Sequence, residues 1–415
     1  MNNVFKIAWR NLFRYKRRTL LTGSLIAIGV ILMLVFSGVA DSFKEYVIGA
    51  VTNAIVGDLQ IHAAGYVDSI DNLPLDLSIK DEALQKIEDL LKAKPQIKAY
   101  SLRLRFGAML SNFQKTASVR MTAIISEQEG QTCPDLPKRI VGRTSNDPQF
   151  LKPGEILVPT NIAKGLKLDV GSDVVVVATN QDGSVNGLNF RVGGISENAV
   201  GPMGRDAYMS FDDARVLLRI EGNEVIEIAI KLKQFDQLNS VYQQLQAALA
   251  TMKNAEGQPL AEVHTWEQLT PFKSVAKIID LLILMIRVVL IAIVLISIMN
   301  VMLMSVYERI SEIGTIASIG TPPNRILALF LMEGVSLGLV SSLLGSLIGM
   351  GILLTLNMVR LNFTFGMMDV SLAPQIPVGE VLFAIGMVVA VSAISGFQPA
   401  LKASRLEPVE ALRHV

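Results

Sequence analysis

One cysteine, Cys133, and three histidines, His62, His264 and His414, are all that this 415-residue chain has of those two types. A lone cysteine excludes an intrachain disulfide, so a folded domain outside the cytosol must be held by its own apolar core. The thiol reads as a bystander. The histidines are far apart in sequence and show no metal-ligand spacing, so no metal centre is expected. No Gly-Lys dipeptide occurs anywhere, which removes the glycine-rich phosphate loop of a nucleotide hydrolase. Basic and acidic residues number 38 and 37, leaving no electrostatic footprint for nucleic acid. Asp68, Asp71, Asp212 and Asp213 come nearest to a carboxylate site, but they stand beside turns and helix starts, where carboxylates cap or are solvated. No catalytic residue is expected.

What the chain has in quantity is apolar sequence, 51% of it. Four runs dominate, at about 20–40, 278–306, 326–356 and 378–397. Each is long enough to cross a ~30 Å hydrocarbon layer at ~1.5 Å per residue. The expectation is an α+β membrane protein with four transmembrane helices in a one-plus-three layout and a large mixed α/β extracytoplasmic domain between the first and second. By residue, this gives a basic amphipathic cytoplasmic helix over 1–19, a span over 20–42, the outer domain over 43–274, and a stalk with the second span over 275–307. A cytoplasmic helix over 308–325, a span over 326–356, an external loop over 357–377, a last span over 378–398 and a cytoplasmic tail over 399–415 follow.

Charge supplies the orientation. Lys6, Arg10, Arg14, Lys16, Arg17 and Arg18 precede the first span with no acidic residue among them, and short basic flanks stay in the cytoplasm. Lys402, Arg405 and Arg413 put the tail on the same side. Gly38-Val39-Ala40 before Asp41 looks like a signal cleavage site, but an apolar run of about twenty residues exceeds the ~7–15 of a signal peptide, so a retained helix is expected.

In the outer segment, Leu84, Ile87, Leu90 and Leu91 recur at helical spacing before Pro95, and helices are also expected over 210–218 and 235–249. Strands are expected over 58–62, 119–125, 155–158, 173–178, 190–195 and 227–232, with turns at Gly154, Gly171, Gly183 and Gly187. Two α/β lobes of similar size are compatible with this spacing.

The loop after the second span is the most specific segment. Ile310, Ile313, Ile316 or Ala317, and Ile319 recur at helical spacing, with Glu308, Arg309 and Glu312 on the remaining surface, until Gly320, Pro322 and Pro323 end the helix. Alone, such a helix could simply lie in the lipid interface. In context it resembles the cytoplasmic signature of the MacB/LolC/LolE/FtsX family of ABC-transporter permeases. The likeness rests on Glu308-Arg309, Glu312-Ile313-Gly314 and Gly320, continues through Phe330-Leu331-Met332-Glu333-Gly334, and returns in Pro399-Ala400, Ala403-Ser404-Arg405 and Pro408-Val409-Glu410-Ala411-Leu412-Arg413. Ala8-Trp9-Arg10-Asn11-Leu12 and Arg17-Arg18-Thr19-Leu20-Leu21-Thr22 are similar to the family's opening helix, and Gly57-Asp58-Leu59-Gln60-Ile61, Gly65-Tyr66, Glu155-Ile156-Leu157-Val158 and Val170-Gly171-Ser172-Asp173 to its outer domain.

That resemblance implies a dimeric permease of the bacterial inner membrane, with itself or a related chain, whose Glu308, Arg309, Glu312, Ile313, Gly314, Ile316 and Gly320 couple it to a separate ATPase subunit. ATP and magnesium would sit on that partner and no cofactor on this chain. The implied activity is movement of a lipidated or hydrophobic substrate, lipoprotein release first and export of amphipathic molecules second, with a periplasmic chaperone or adaptor as a further partner. An FtsX-like transducer that activates an external enzyme is the alternative, and a stand-alone receptor fits the cytoplasmic signature poorly. Many members carry Arg or Lys shortly after Glu-Ile-Gly where this chain has Ala317, which shifts docking toward apolar packing by Ile313, Ile316 and Ile319.

Within the spans, Gly334, Gly338, Ser341, Gly345 and Gly349 fall on one helical face and read as a packing stripe. Ser297 and Asn300 are candidates for hydrogen bonds across a helix pair. Lys277, Asp280 and Arg287 are expected on a stalk above the bilayer, with Arg287 snorkelling at the interface.

Overall fold

In the computed structural model, residues 16–143, 147–197, 204–253, 257, 259–269, 272–359, 361–365, 368–372, 374 and 378–405 are described. Lys6, Arg10, Arg14, the opening motif over 8–12, the closing motif over 408–413 and His414 lie outside them. The chain forms two compact units, one of Met1–Glu45, Ile278–Phe363 and Val370–Val415, the other of Tyr46–Lys277 and Thr364–Asp369.

The first helix, α1 (Lys16–Val51), passes into a wider turn over Thr52–Val56 that Gly57 ends. Gly57 has φ +74°, and a Cβ there would lie 2.9 Å from the Ile230 carbonyl oxygen, so conformation and space both require glycine. The Asp58 amide donates to that same carbonyl at 2.8 Å. The Asp58 carboxylate accepts from Lys231 Nζ at 2.7 Å and from the Leu232 amide at 2.8 Å. The Gly57-Asp58 signature is therefore a clasp that seats the following strand.

Among the described residues, ten strands join one sheet: β1 (Leu59–Ala63), β2 (Ile97–Ser111), β3 (Thr116–Ile124), β4 (Ile140–Val141), β5 (Glu155–Pro159), β6 (Asp173–Thr179), β7 (Val185–Ser196), β8 (Asp206–Ser210), β9 (Glu227–Leu232) and β10 (Ala261–Thr265). Helices α2 (Asp81–Lys92), α3 (Ser126–Thr132), α4 (Thr160–Leu166), α5 (Phe211–Leu218) and α6 (Leu238–Leu249) are interspersed among them. Two separate lobes do not form, because β2 belongs to both halves. Its first part pairs antiparallel with β9, which leads to β1 and β10. Its later part pairs with β3 on one side and β6 on the other. From β3 the pairings run through β8, β5 and β7 back to β6, so six strands close a ring and have no free edge there. The buried face of β2 changes along its length: Ser101 and Arg103 are buried, then Leu104, Phe106, Ala108 and Leu110. That change of buried face within one strand is why strict alternation does not reveal it.

Arg103 sits at the shift. Its Nε and Nη2 donate to the two oxygens of Glu129 at 3.0 and 2.6 Å, and its Nη1 donates to Glu227 Oε1 at 2.5 Å. Arg105 Nη1 donates to Glu227 Oε2 at 3.1 Å and Gln60 Nε2 to Glu227 Oε1 at 2.9 Å. The side chains of Arg103, Glu129 and Glu227 are at most 3% exposed. Burial by itself would raise the Glu227 carboxyl, but Arg105 and Arg103 hold it well below the usual carboxylate range. Cys133 lies beside this network, buried, with Arg103 Nη2 3.2 Å from its sulfur, and burial pushes the thiol up. It is an inert core residue.

Strand pairing also brings together two histidines that the sequence separates. Gln60 faces His264 across β1 and β10, and the His62 and His264 ring centroids are 5.8 Å apart. Among the described residues, no group of His, Cys, Asp or Glu could hold a metal. Burial, and then the neighbouring His62, lower His264 from 6.5 to about 4. Between those values the unfolded chain binds more protons than the folded one, so stability is complete above pH 6.5 and falls as the pH drops toward 4. Glu227 adds a loss at still lower pH, below its ordinary 4.5. His264→Gln should flatten the upper part of this dependence, read as the unfolding midpoint of the full-length protein between pH 4 and 7. An unchanged slope would remove His264 as its source.

The remaining elements are α7 (Phe272–Glu308), α8 (Ile310–Ser318), α9 (Pro323–Val359), the hairpin β11 (Leu361–Phe365) and β12 (Met368–Leu372), and α10 (Val378–Ser404). Among the described residues, four helices are long and apolar enough to cross a membrane: Thr19–Val56, Asp280–Glu308, Pro323–Val359 and Val378–Ser404. Ile26, Val30, Ile298, Met302, Phe330 and Ala384 belong to their shared core.

Candidate functional site

The site is the corner between α7 and α9. Arg309, with φ −117° and ψ 17°, leaves the helical path after Glu308, and Ile310 begins α8 in a new direction. The turn is tied by the Arg309 amide to the Val306 carbonyl at 3.2 Å and by the Ile313 amide to the Arg309 carbonyl at 2.9 Å. At the far end Gly320 adopts φ +90° and donates to the Ala317 carbonyl at 3.0 Å, after which Pro323 opens α9. A left-handed residue followed by proline cannot continue a helix, so the stop is local in origin.

The placement of Arg309 on the outer surface needs correction: it is only 7% exposed. Its Nη1 donates to Glu333 Oε2 at 3.0 Å, its Nε donates to Glu312 Oε2 at 2.9 Å, and the guanidinium lies 5.5 Å over the Phe330 ring. Glu333, in α9, is 3% exposed. A carboxylate at that depth is tolerated because a cation meets it, and the pair fixes α8 to α9. Motif reading includes Glu333 in the resemblance but gives it no partner; the signal for one is an acidic side chain inside an apolar run. Glu308 is exposed and Glu312 half-buried. Lys402, in α10, donates to the Tyr307 hydroxyl at 2.7 Å and stands over that ring at 5.1 Å.

The isoleucines divide into two groups. Ile313 is 2% exposed and packs into the helical core, and Gly314 is buried beside it. Ile316 is 38% exposed and Ile319 80%. Ser311, Thr315 and Gly320 are exposed as well. The apolar surface that α8 offers outward is thus Ile316 and Ile319, while Ile313 seats the helix.

The small-residue stripe serves several neighbours in turn. A Cβ on Gly334 would lie 3.3 Å from Met302 of α7, and one on Gly338 would collide with the Ser392 hydroxyl of α10. Ser341 is buried. Added Cβ atoms on Gly345 and Gly349 would meet Ala27 O at 2.7 Å and Leu34 Cδ1 at 3.3 Å, both on α1. The face winds around α9 and admits three helices at close range. Ser297 does not bond across helices: its hydroxyl donates to Ile293 in its own helix at 2.8 Å.

Arg287 has a partner that snorkelling does not supply. Its Nη2 lies 3.0 Å from both oxygens of Glu380 on α10 and 3.4 Å from Ser37 Oγ on α1. Lys44 pairs with Asp280 nearby. These contacts cross-brace α1, α7 and α10.

Residues 19–248 match the MacB-like periplasmic core domain, and residues 284–408 match the FtsX-like permease C-terminal family. The chain is similar to the lipoprotein-releasing system transmembrane protein LolC of Xylella fastidiosa, 26% identical, with 71% of this chain and 72% of that protein covered. It is 26% identical to the macrolide export ATP-binding/permease protein MacB of Shigella boydii, with 99% of this chain covered but 60% of that protein, so it spans about three fifths of the length of that relative. Among solved structures, the periplasmic region of MacB from Actinobacillus actinomycetemcomitans aligns at 14% identity and a TM-score of 0.36, covering 54% of this chain and 92% of that one.

Proposed function

This chain belongs to the MacB-like periplasmic core domain family and ends in an FtsX-like permease region, and from that premise we propose that it couples ATP hydrolysis on a separate ATPase subunit to movement of a lipidated or hydrophobic substrate. It is a multi-pass membrane protein with a large extracytoplasmic domain. In this reading the two termini face the cytoplasm of a bacterial inner-membrane protein, and the permease works as a dimer with itself or a related chain. The ATPase takes hold at α8, and α7 carries its displacement toward the outer domain. Lipoprotein release is the leading substrate reading, supported by likeness to LolC.

One observation carries this proposal: a short helix, braced from behind by Arg309 and Glu333, presents Ile316 and Ile319 outward. A fixed apolar knob suits insertion into a partner's groove. Ile319→Asp should reduce copurification of the ATPase at least tenfold, because it places a charge at the contact, while Ala317→Arg should leave binding intact. The measurement is ATPase recovered with the tagged permease from detergent-solubilised membranes. Wild-type recovery with both Ile316→Asp and Ile319→Asp would leave α8 as a lipid-surface helix and remove the proposal. Ile313→Asp is expected to fail earlier, by disrupting the helical core.

A further inference from the structure

A groove of about 730 Å³ runs along α1 and α9, with Lys16 at one end and Ile31 and Ile348 at the other. That volume lies within the ~300–1,000 Å³ of ordinary ligand sites. Leu20, Ile28, Leu344 and Ile348, all half or more exposed, form its walls. Its floor is the seam where Gly23 meets Ser341 and Gly345 meets Ala27. From Lys16 to Ile31 the helix rises ~22 Å, longer than one ~15 Å leaflet of hydrocarbon, so the apolar length suits an extended acyl chain and leaves the Lys16 end at headgroup level.

The polar end has one sign. Lys16 is exposed and, among the described residues, no carboxylate pairs with it. Arg17 is exposed next to it. An apolar channel closed at one end by the Lys16 ammonium is complementary to a molecule with a long apolar body and an anionic head. A second copy of this chain fits less well. Two copies related by an axis along the membrane normal and meeting through this face would bring Lys16 and Arg17 of each against the same residues of the other.

We propose that this groove binds one anionic glycerophospholipid of the surrounding leaflet, its acyl chain along α1 and α9 and its phosphate at Lys16. The site would tie an individual lipid to the seam on which α1 and α9 pack.

The test uses the full-length permease in nanodiscs of mixed phosphatidylcholine and phosphatidylglycerol, with photoactivatable phosphatidylglycerol or phosphatidylcholine carrying a diazirine in one chain, and peptide mass spectrometry to map the adducts. Phosphatidylglycerol adducts should concentrate on 16–31 and 337–348, about fivefold above the phosphatidylcholine probe. Lys16→Gln should erase that preference without altering the fold. Ser24→Phe, which fills the groove, should remove most adducts, and Leu25→Phe, equally bulky but outside the groove, should not. Adducts spread evenly over the four helices, or an undiminished preference in Lys16→Gln, would overturn the site. So would efficient disulfide formation between two copies carrying Ser24→Cys, since a partner helix would then occupy the groove.

Discussion

Glu227→Ala should lower the stability of the outer domain by about 3–5 kcal/mol, the loss typical when one partner is taken from a buried ion pair. The substitution removes acceptors from Arg103, Arg105 and Gln60 together. Arg103 keeps Glu129, but its Nη1 is left without a carboxylate in a place where its side chain is 3% exposed. For a domain of this size, about 2–4 °C per kcal/mol translates into a fall in unfolding midpoint of roughly 10 °C. Thermal unfolding of the full-length protein at neutral pH measures it, with loss of protease resistance in the outer domain as a second reading. A loss under about 1 kcal/mol would mean that water reaches the network. Replacing Arg103, Arg105, Glu129 and Glu227 together by leucine should restore much of the stability, since a packed apolar cluster needs no partners and Gln60 keeps the Val56 carbonyl.

Leu284→Pro should abolish substrate movement while leaving the ATPase bound and active. Helix α7 is unbroken from Phe272 to Glu308, and Leu284 is 55% exposed, so the substitution loses little packing. Proline removes one backbone hydrogen bond and clashes with the preceding turn, at about 3 kcal/mol or more, and a kinked rod no longer transmits axial displacement. The Arg309–Glu333 brace and the exposed Ile316 and Ile319 lie some twenty or more residues further along the chain and stay intact. The assay is ATP-driven release of a lipidated substrate from proteoliposomes, run beside ATP hydrolysis by the same sample. Wild-type release with the proline in place would end the lever mechanism. Loss of both activities with the ATPase still bound would place the defect in the enzyme's stimulation instead.

The four spans, their one-plus-three order and the short helix between the second and third were legible because each is written locally. Apolar run length determines a membrane helix, and the Gly320-Pro322-Pro323 stop acts within a few residues. The strand over 227–232, which alternates in sequence at Ile228, Ile230 and Leu232, and the helix over 81–92 are equally local. Strand β2 is not, because its buried face changes phase between Arg103 and Leu104. The ion network could not be read either: Arg103, Glu129 and Glu227 meet only when β2, β9 and α3 are assembled, and in sequence each resembles a solvated charge. The same holds for Arg309 and Glu333, and for Arg287 and Glu380, whose partners lie on different helices. Periodicity reports what a residue does to its own element. Whether a charge faces water or another charge depends on which elements pack beside it, and that only the tertiary structure decided.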